Sequence, residues 1–222
     1  MTPRRGWKSL GEIVMGMKRI VGVVVAGMVL AGPSQVASAQ SSNTEVLAFR
    51  GFGASAVFRT IEGCIATEVF VSAGESSAVR PGEPETARQD AAAVLLDRRD
   101  LCTGEVFLFG SGSGTVEFDA APLLTSAEVH GVVPVHDVPS DRTLDVVVDV
   151  VWTGVGELER DASHSHFVDD GVVVKTHSNG SFRNATAVGH VVQDTTELVD
   201  GSTSIGLLVW SNNGQVLINR GA

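Results

Sequence analysis

LDVVVDVVW, residues Leu144 to Trp152, decides the fold class. Leu144, Val146, Val148, Val150 and Trp152 fall on alternate positions, so an extended chain carries them on one face. Asp145, Val147, Asp149 and Val151 fall on the other. A helix suits this stretch poorly, because β-branched valine loses χ1 freedom against a helical turn and packs well on a pleat. The pattern predicts a long strand near the middle of an antiparallel sheet, with the apolar face on the core and the acid-bearing face partly wet.

Working outward, most of the chain repeats this theme in shorter form. CIATEVFVSA (Cys64 to Ala73) puts Ile65, Thr67, Val69 and Val71 on one face. Ala91 to Arg98, Gly104 to Phe109, Leu124 to His136 and Phe182 to Val192 also read as strands, with Pro134 marking an edge or bulge. Val46 to Thr60, broken by Gly51 and Gly53, reads as one or two edge strands. Gly74 to Asp90 reads as a loop. Gly110 to Gly114 reads as the turn of a hairpin that returns through Thr115 to Phe118. Asn212-Asn213-Gly214 reads as the turn of a last hairpin between Ile205–Trp210 and Gln215–Asn219. The expectation is a single all-β domain, an antiparallel β-sandwich from about Val46 to Arg220, with a closed barrel as runner-up. SAEVHGVV (Ser126 to Val133) echoes ATAVGHVV (Ala185 to Val192), which raises the option of two similar half-sheets.

The first 39 residues read as a signal peptide, leaving 40–222 as the secreted domain. A basic start with Arg4, Arg5, Lys8, Lys18 and Arg19 precedes an apolar run, Ile20 to Ala31, and a small-residue cleavage pattern at Ala37-Ser38-Ala39. The apolar run falls short of the ~20 residues of a membrane span. Cleavage takes away five basic residues and one acid, which leaves 11 basic against 25 acidic residues, a net charge of −14 where the precursor has −10. Such a surface repels nucleic acid and anionic lipid at long range and favours solubility. In an exported chain Cys64 and Cys102 read as a disulfide, with no C-x-x-C spacing to signal redox work. Arg outnumbers Lys, Val and Ala are abundant and Tyr is absent, the usage of a GC-rich bacterial genome. The W-T-G-x-G run from Trp152, followed by His-x-His-Phe ending at Phe167, resembles uncharacterised secreted bacterial β-proteins. That resemblance covers a minor part of the chain, implies an exported all-β protein and brings no activity with it.

One constellation carries chemistry. His164 and His166 are two apart, so a strand aims both the same way. A two-residue turn at Asp170-Gly171 would set His166 opposite Lys175 and His164 opposite His177. It would also leave Phe167, Val172 and Val174 on the opposite face, packed inward. Imidazoles on adjacent strands can hold Zn²⁺ and leave a position for a nucleophilic water. Lys175 beside them opposes a dication, and no glutamate completes a cupin-like set. The sequence shows no nucleophile elbow outside the Gly110–Gly114 run, no phosphate-binding loop and no EF-hand. With only Trp152 and Trp210 in the mature chain, both in strand patterns that look buried, a sugar-stacking platform is disfavoured. The favoured reading is a non-enzymatic extracellular binding or structural module without a cofactor, its partner an extracellular protein or glycan rather than nucleic acid. The alternative is a zinc-dependent hydrolase at His164, His166 and His177.

Overall fold

The computed structural model describes residues 44–79, 84–169 and 172–219. They form nine strands: β1 (Thr44–Glu62), β2 (Ile65–Val79), β3 (Gln89–Asp100), β4 (Val106–Thr115), β5 (Glu117–Ala120), β6 (Ser126–Asp137), β7 (Arg142–Asp169), β8 (Val172–Gln193) and β9 (Thr196–Asn219). All lie in one antiparallel sheet of order β4-β3-β2-β1-β9-β8-β7-β6-β5. A further pairing of β4 with β6, from Gly110↔Asp137 to Gly112↔Val135, joins the two ends of that order. The sheet therefore curls into a ring, and its opposite walls face each other across one core, as the layers of a sandwich do. Residues Gln40–Ala222 make one compact unit. The all-β, antiparallel, single-domain expectation holds. Among the described residues no helix is long and apolar enough to cross a membrane.

β7 supplies the centre of the core as its alternation requires: Val146, Val148, Val150 and Trp152 are each 0% exposed. The Trp152 indole N–H donates to the Ser55 carbonyl at 3.0 Å, so the one polar atom of this side chain is satisfied inside. Gly206 of β9 makes the room: a Cβ there would stand 2.7 Å from the indole Cδ1.

The β4–β6 seam depends on glycine in the same way. A Cβ on Gly112 would stand 1.8 Å from the Pro134 carbonyl oxygen, and one on Gly110 2.3 Å from that of His136. Gly110 to Gly114 is thus no turn. It is strand, paired with β3 on one side and, through Gly110–Gly112, with β6 on the other. Pro134, which has no N–H to donate, falls between the part of β6 that pairs with β5 and the part that pairs with β4. Asp137, buried at the seam, accepts from the backbone N–H of Phe109 and of Ser140, each at 3.2 Å.

Two other turn or break signals are overridden. β9 runs straight through Asn212-Asn213-Gly214, because β8 pairs along one side (Ser178↔Asn213) and β1 along the other (Phe49↔Asn213). β1 likewise runs unbroken through Gly51 and Gly53. A strand paired on both edges gains more backbone hydrogen bonds than a local turn offers.

Cys64 and Cys102 form the expected disulfide, with Cα atoms 5.6 Å apart, linking the β1–β2 turn to the β3–β4 turn. Asp100 orders the second turn. Its carboxylate accepts from the backbone N–H of Cys102 at 2.7 Å and of Thr103 at 3.0 Å. These bonds, that from Thr103 first, hold the Asp100 carboxyl below the ordinary carboxylate range. A lowered folded-state value means a contribution present above the unfolded value and lost as pH falls through the folded one. Asp100→Ala should therefore lower the melting temperature most at neutral pH, and the gap to wild type should close on acidification. A gap that widens in acid would contradict this.

Candidate functional site

Pairing of β6 with β7 ends at Ser126↔Thr153, and of β3 with β2 at Gln89↔Ser76. A 3₁₀ turn, Pro122–Leu124, closes the ring at this end by burying Leu124 against β7 and β9. Past that plug β7, β8, β9, β1 and the end of β2 run on as an open five-stranded sheet.

Strand parity decides which side chains line the core-facing side of this overhang. In β8, Ala185 and Ala187 point into the core, so Arg183, Ser181, Asn179, His177 and Lys175 follow on the same face. β7 absorbs two extra residues between Val155↔Asn184 and Glu159↔Phe182, with Gly156 at φ 74°. An even excess preserves parity, so Arg160, Ala162, His164 and His166 share that face. Directly opposed positions then form rows across all five strands. One reads Ala162, Asn179, Asn212, Arg50, Ser77; the next reads Arg160, Ser181, Trp210, Phe52, Glu75.

The histidine hairpin has the register that its spacing predicts: His164↔His177 and His166↔Lys175. The rings of His164 and His177 stack with centroids 4.7 Å apart at 28°, and their Nδ1 atoms lie 3.1 Å apart. Asn179 Nδ2 stands 2.8 Å from His177 Nε2. One tautomer satisfies both contacts: the Asn179 amide donates to His177 Nε2, and His177 Nδ1–H donates to His164 Nδ1. Both nitrogens of His177 are then used. His166 stands opposite Lys175, one pair further on. The hairpin thus brings two of the three predicted imidazoles into contact. The turn at Asp170-Gly171 and the side chains of Phe167, Val172 and Val174 lie outside the described residues. The imidazoles prolong the core-facing side of the sheet instead of occupying its outer side.

At the β1–β2 flank of the overhang is a groove of about 280 Å³ lined by Arg50, Phe52, Glu75, Trp210, Glu85 and Arg88. Its cations are matched by acids. Arg50 Nε lies 3.6 Å from Glu85, while Arg88 pairs with Glu75 and, at 3.2 Å, with Asp90. Phe52 and Trp210 are half-buried and pack on the core. Sequence reasoning did not bring these residues together, because only the β9–β1–β2 register makes them neighbours.

A second cluster went unanticipated. Where the β8–β9 register slips, at Gly189/His190 and Val191/Val192, His190 Nδ1 lies 3.6 Å from Glu197 and 3.7 Å from Asp200. All three are exposed, and the group reads as solvated charges on a bulged edge.

No family model and no curated protein matches the chain. Among solved structures, an acetoacetate decarboxylase-like enzyme from Sphingomonas wittichii RW1 is similar at 9% identity over 83% of this chain and 94% of that one, with a TM-score of 0.28. A likeness of that size carries no activity across.

Proposed function

We propose that the protein is an exported, non-enzymatic binding module that seats its ligand on the overhanging sheet, against Trp210 and Phe52. One observation carries the reading: core-facing rows of five strands continue past the plugged end as polar and aromatic side chains around an open groove. Sites of this shape, concave, part-apolar and with a few convergent polar groups, are where ligands bind. The same face offers little for metal chemistry. Lys175 is directly opposite His166, and the network through Asn179 occupies both nitrogens of His177.

Glycan-rich fractions of the native culture medium, added to the protein, should raise its melting temperature by mass action and change its tryptophan emission. Trp210→Phe should abolish the emission change, since buried Trp152 lies inside the core. Ligand recovered afterwards should have its original mass; a cleaved ligand would restore the hydrolase reading. Zn²⁺ makes the second comparison. A binding module without metal shows no rise in melting temperature, whereas a rise abolished by His164→Ala with His166→Ala would establish the three-histidine site.

A further inference from the structure

Charge on the overhang is sorted by face. On β7 beyond the two-residue excess, Arg160, His164 and His166 are on the core-facing side, and Glu159 and Asp161 are on the other. On β8 up to the same level, Lys175, His177 and Arg183 all share the core-facing side, and β1 adds Arg50. A chain that carries only 11 basic residues after cleavage, against 25 acidic ones, thus collects four of them here with three of its six histidines.

The two flanks differ. Toward β1 and β2 the cations are matched, Arg50 by Glu85 and Arg88 by Glu75 and Asp90. Toward β7 and β8 no ion pair engages Arg160, Lys175 or Arg183 among the described residues, and Arg160 and Lys175 are exposed. The Arg183 Nε is buried without a hydrogen-bond partner among the described residues. We infer that this flank binds an acidic polysaccharide, a chain of sugar carboxylates laid across β7 and β8. The inference rests on the binding-module reading and names its ligand class.

Spacing and total charge select that occupant. Same-face residues recur about every 6.6 Å along a strand and about 4.8 Å across strands. The cationic positions from Lys175 to Arg183 therefore extend over roughly 27 Å of β8. That is too long for one small anion and suits a polymer with one charge per sugar. A duplex carries a charge about every 1.7 Å, far denser than cationic positions about 6.6 Å apart along a strand can match. A single nucleic-acid strand would need several stacking aromatics, and this face shows Trp210 and Phe52, both half-buried. Arginine forks match carboxylates bidentately. The acids of this face, Glu75, Glu85 and Asp90, sit with Arg50 and Arg88 at the far flank and leave the β7–β8 side to its cations.

The test is calorimetric titration of protein purified from the medium with polygalacturonate, with dextran and with polyglutamate. Polygalacturonate should bind saturably, and more weakly as salt rises from about 0.05 to 0.3 M. Arg160→Glu with Lys175→Glu should weaken it tenfold or more at an unchanged melting temperature. Should that pair fail to fold, Lys175→Glu alone should still weaken binding severalfold. No binding of polygalacturonate, or equal binding of dextran, overturns the inference. Equal or tighter binding of polyglutamate overturns it in favour of an acidic peptide. If medium fractions still act through Trp210 in any of these cases, the module reading survives and the ligand class alone is wrong.

Discussion

Val148→Asp should cost the protein about 4 kcal/mol or more of its stability. Val148 is fully buried at the middle of the Leu144–Trp152 stretch of β7, between Gly131 of β6 and Val191 of β8. A carboxylate there has no partner and no water, and a buried unpaired charge costs several kcal/mol, about 4 or more. A domain of this kind has only about 5–15 kcal/mol to lose. The adjacent Val147 is 40% exposed on the outer face, so Val147→Asp should cost under about 1 kcal/mol. Urea denaturation of both variants reads the difference. Similar losses at the two positions would mean that the facing of β7 is wrong, and every parity step toward the overhang with it.

Gly112→Val is the second large effect. Its Cβ would lie 1.8 Å from the Pro134 carbonyl oxygen and 2.8 Å from the Val135 Cα, both backbone atoms that cannot swing away. β4 must then leave β6, and a loss of about 3 kcal/mol or more is expected. Amide hydrogen exchange should show protection lost first along Gly110–Gly112 and Val135–Asp137, with the β7–β8 pairing kept. Gly214→Ala supplies the contrast. Nothing lies within 4 Å of its Cβ, so stability should hold or rise slightly. Equal tolerance at both glycines would mean that the ring does not close through this seam.

Local sequence reached some of this and not the rest, for definite reasons. The facing of Leu144 to Trp152 was legible because one side of that strand is wholly buried, so its alternation is strict. The His164–His177 register was legible because a two-residue hairpin loop leaves one parity choice. The glycines of β4 and the Asn-Gly of β9 misled, since a glycine that admits a neighbouring backbone looks in sequence like one that makes a turn. Which side of the sheet the histidines occupy could not be counted through the two extra residues of Val155–Glu159, which have no sequence signature. Arg50, Phe52 and Trp210 were never candidates together, because they meet only through pairings between distant strands.

The measurement that tests the account most directly is a two-dimensional amide NMR titration of the protein with a short galacturonate oligomer. Ligand on the core-facing side of the overhang should shift amides of β7 and β8 between Arg160 and Arg183, with Trp210 and Asn212 at its border, and leave the wall around Val147 and Val188 unmoved. Shifts centred on that wall, or none on the overhang at saturating oligomer, would contradict it.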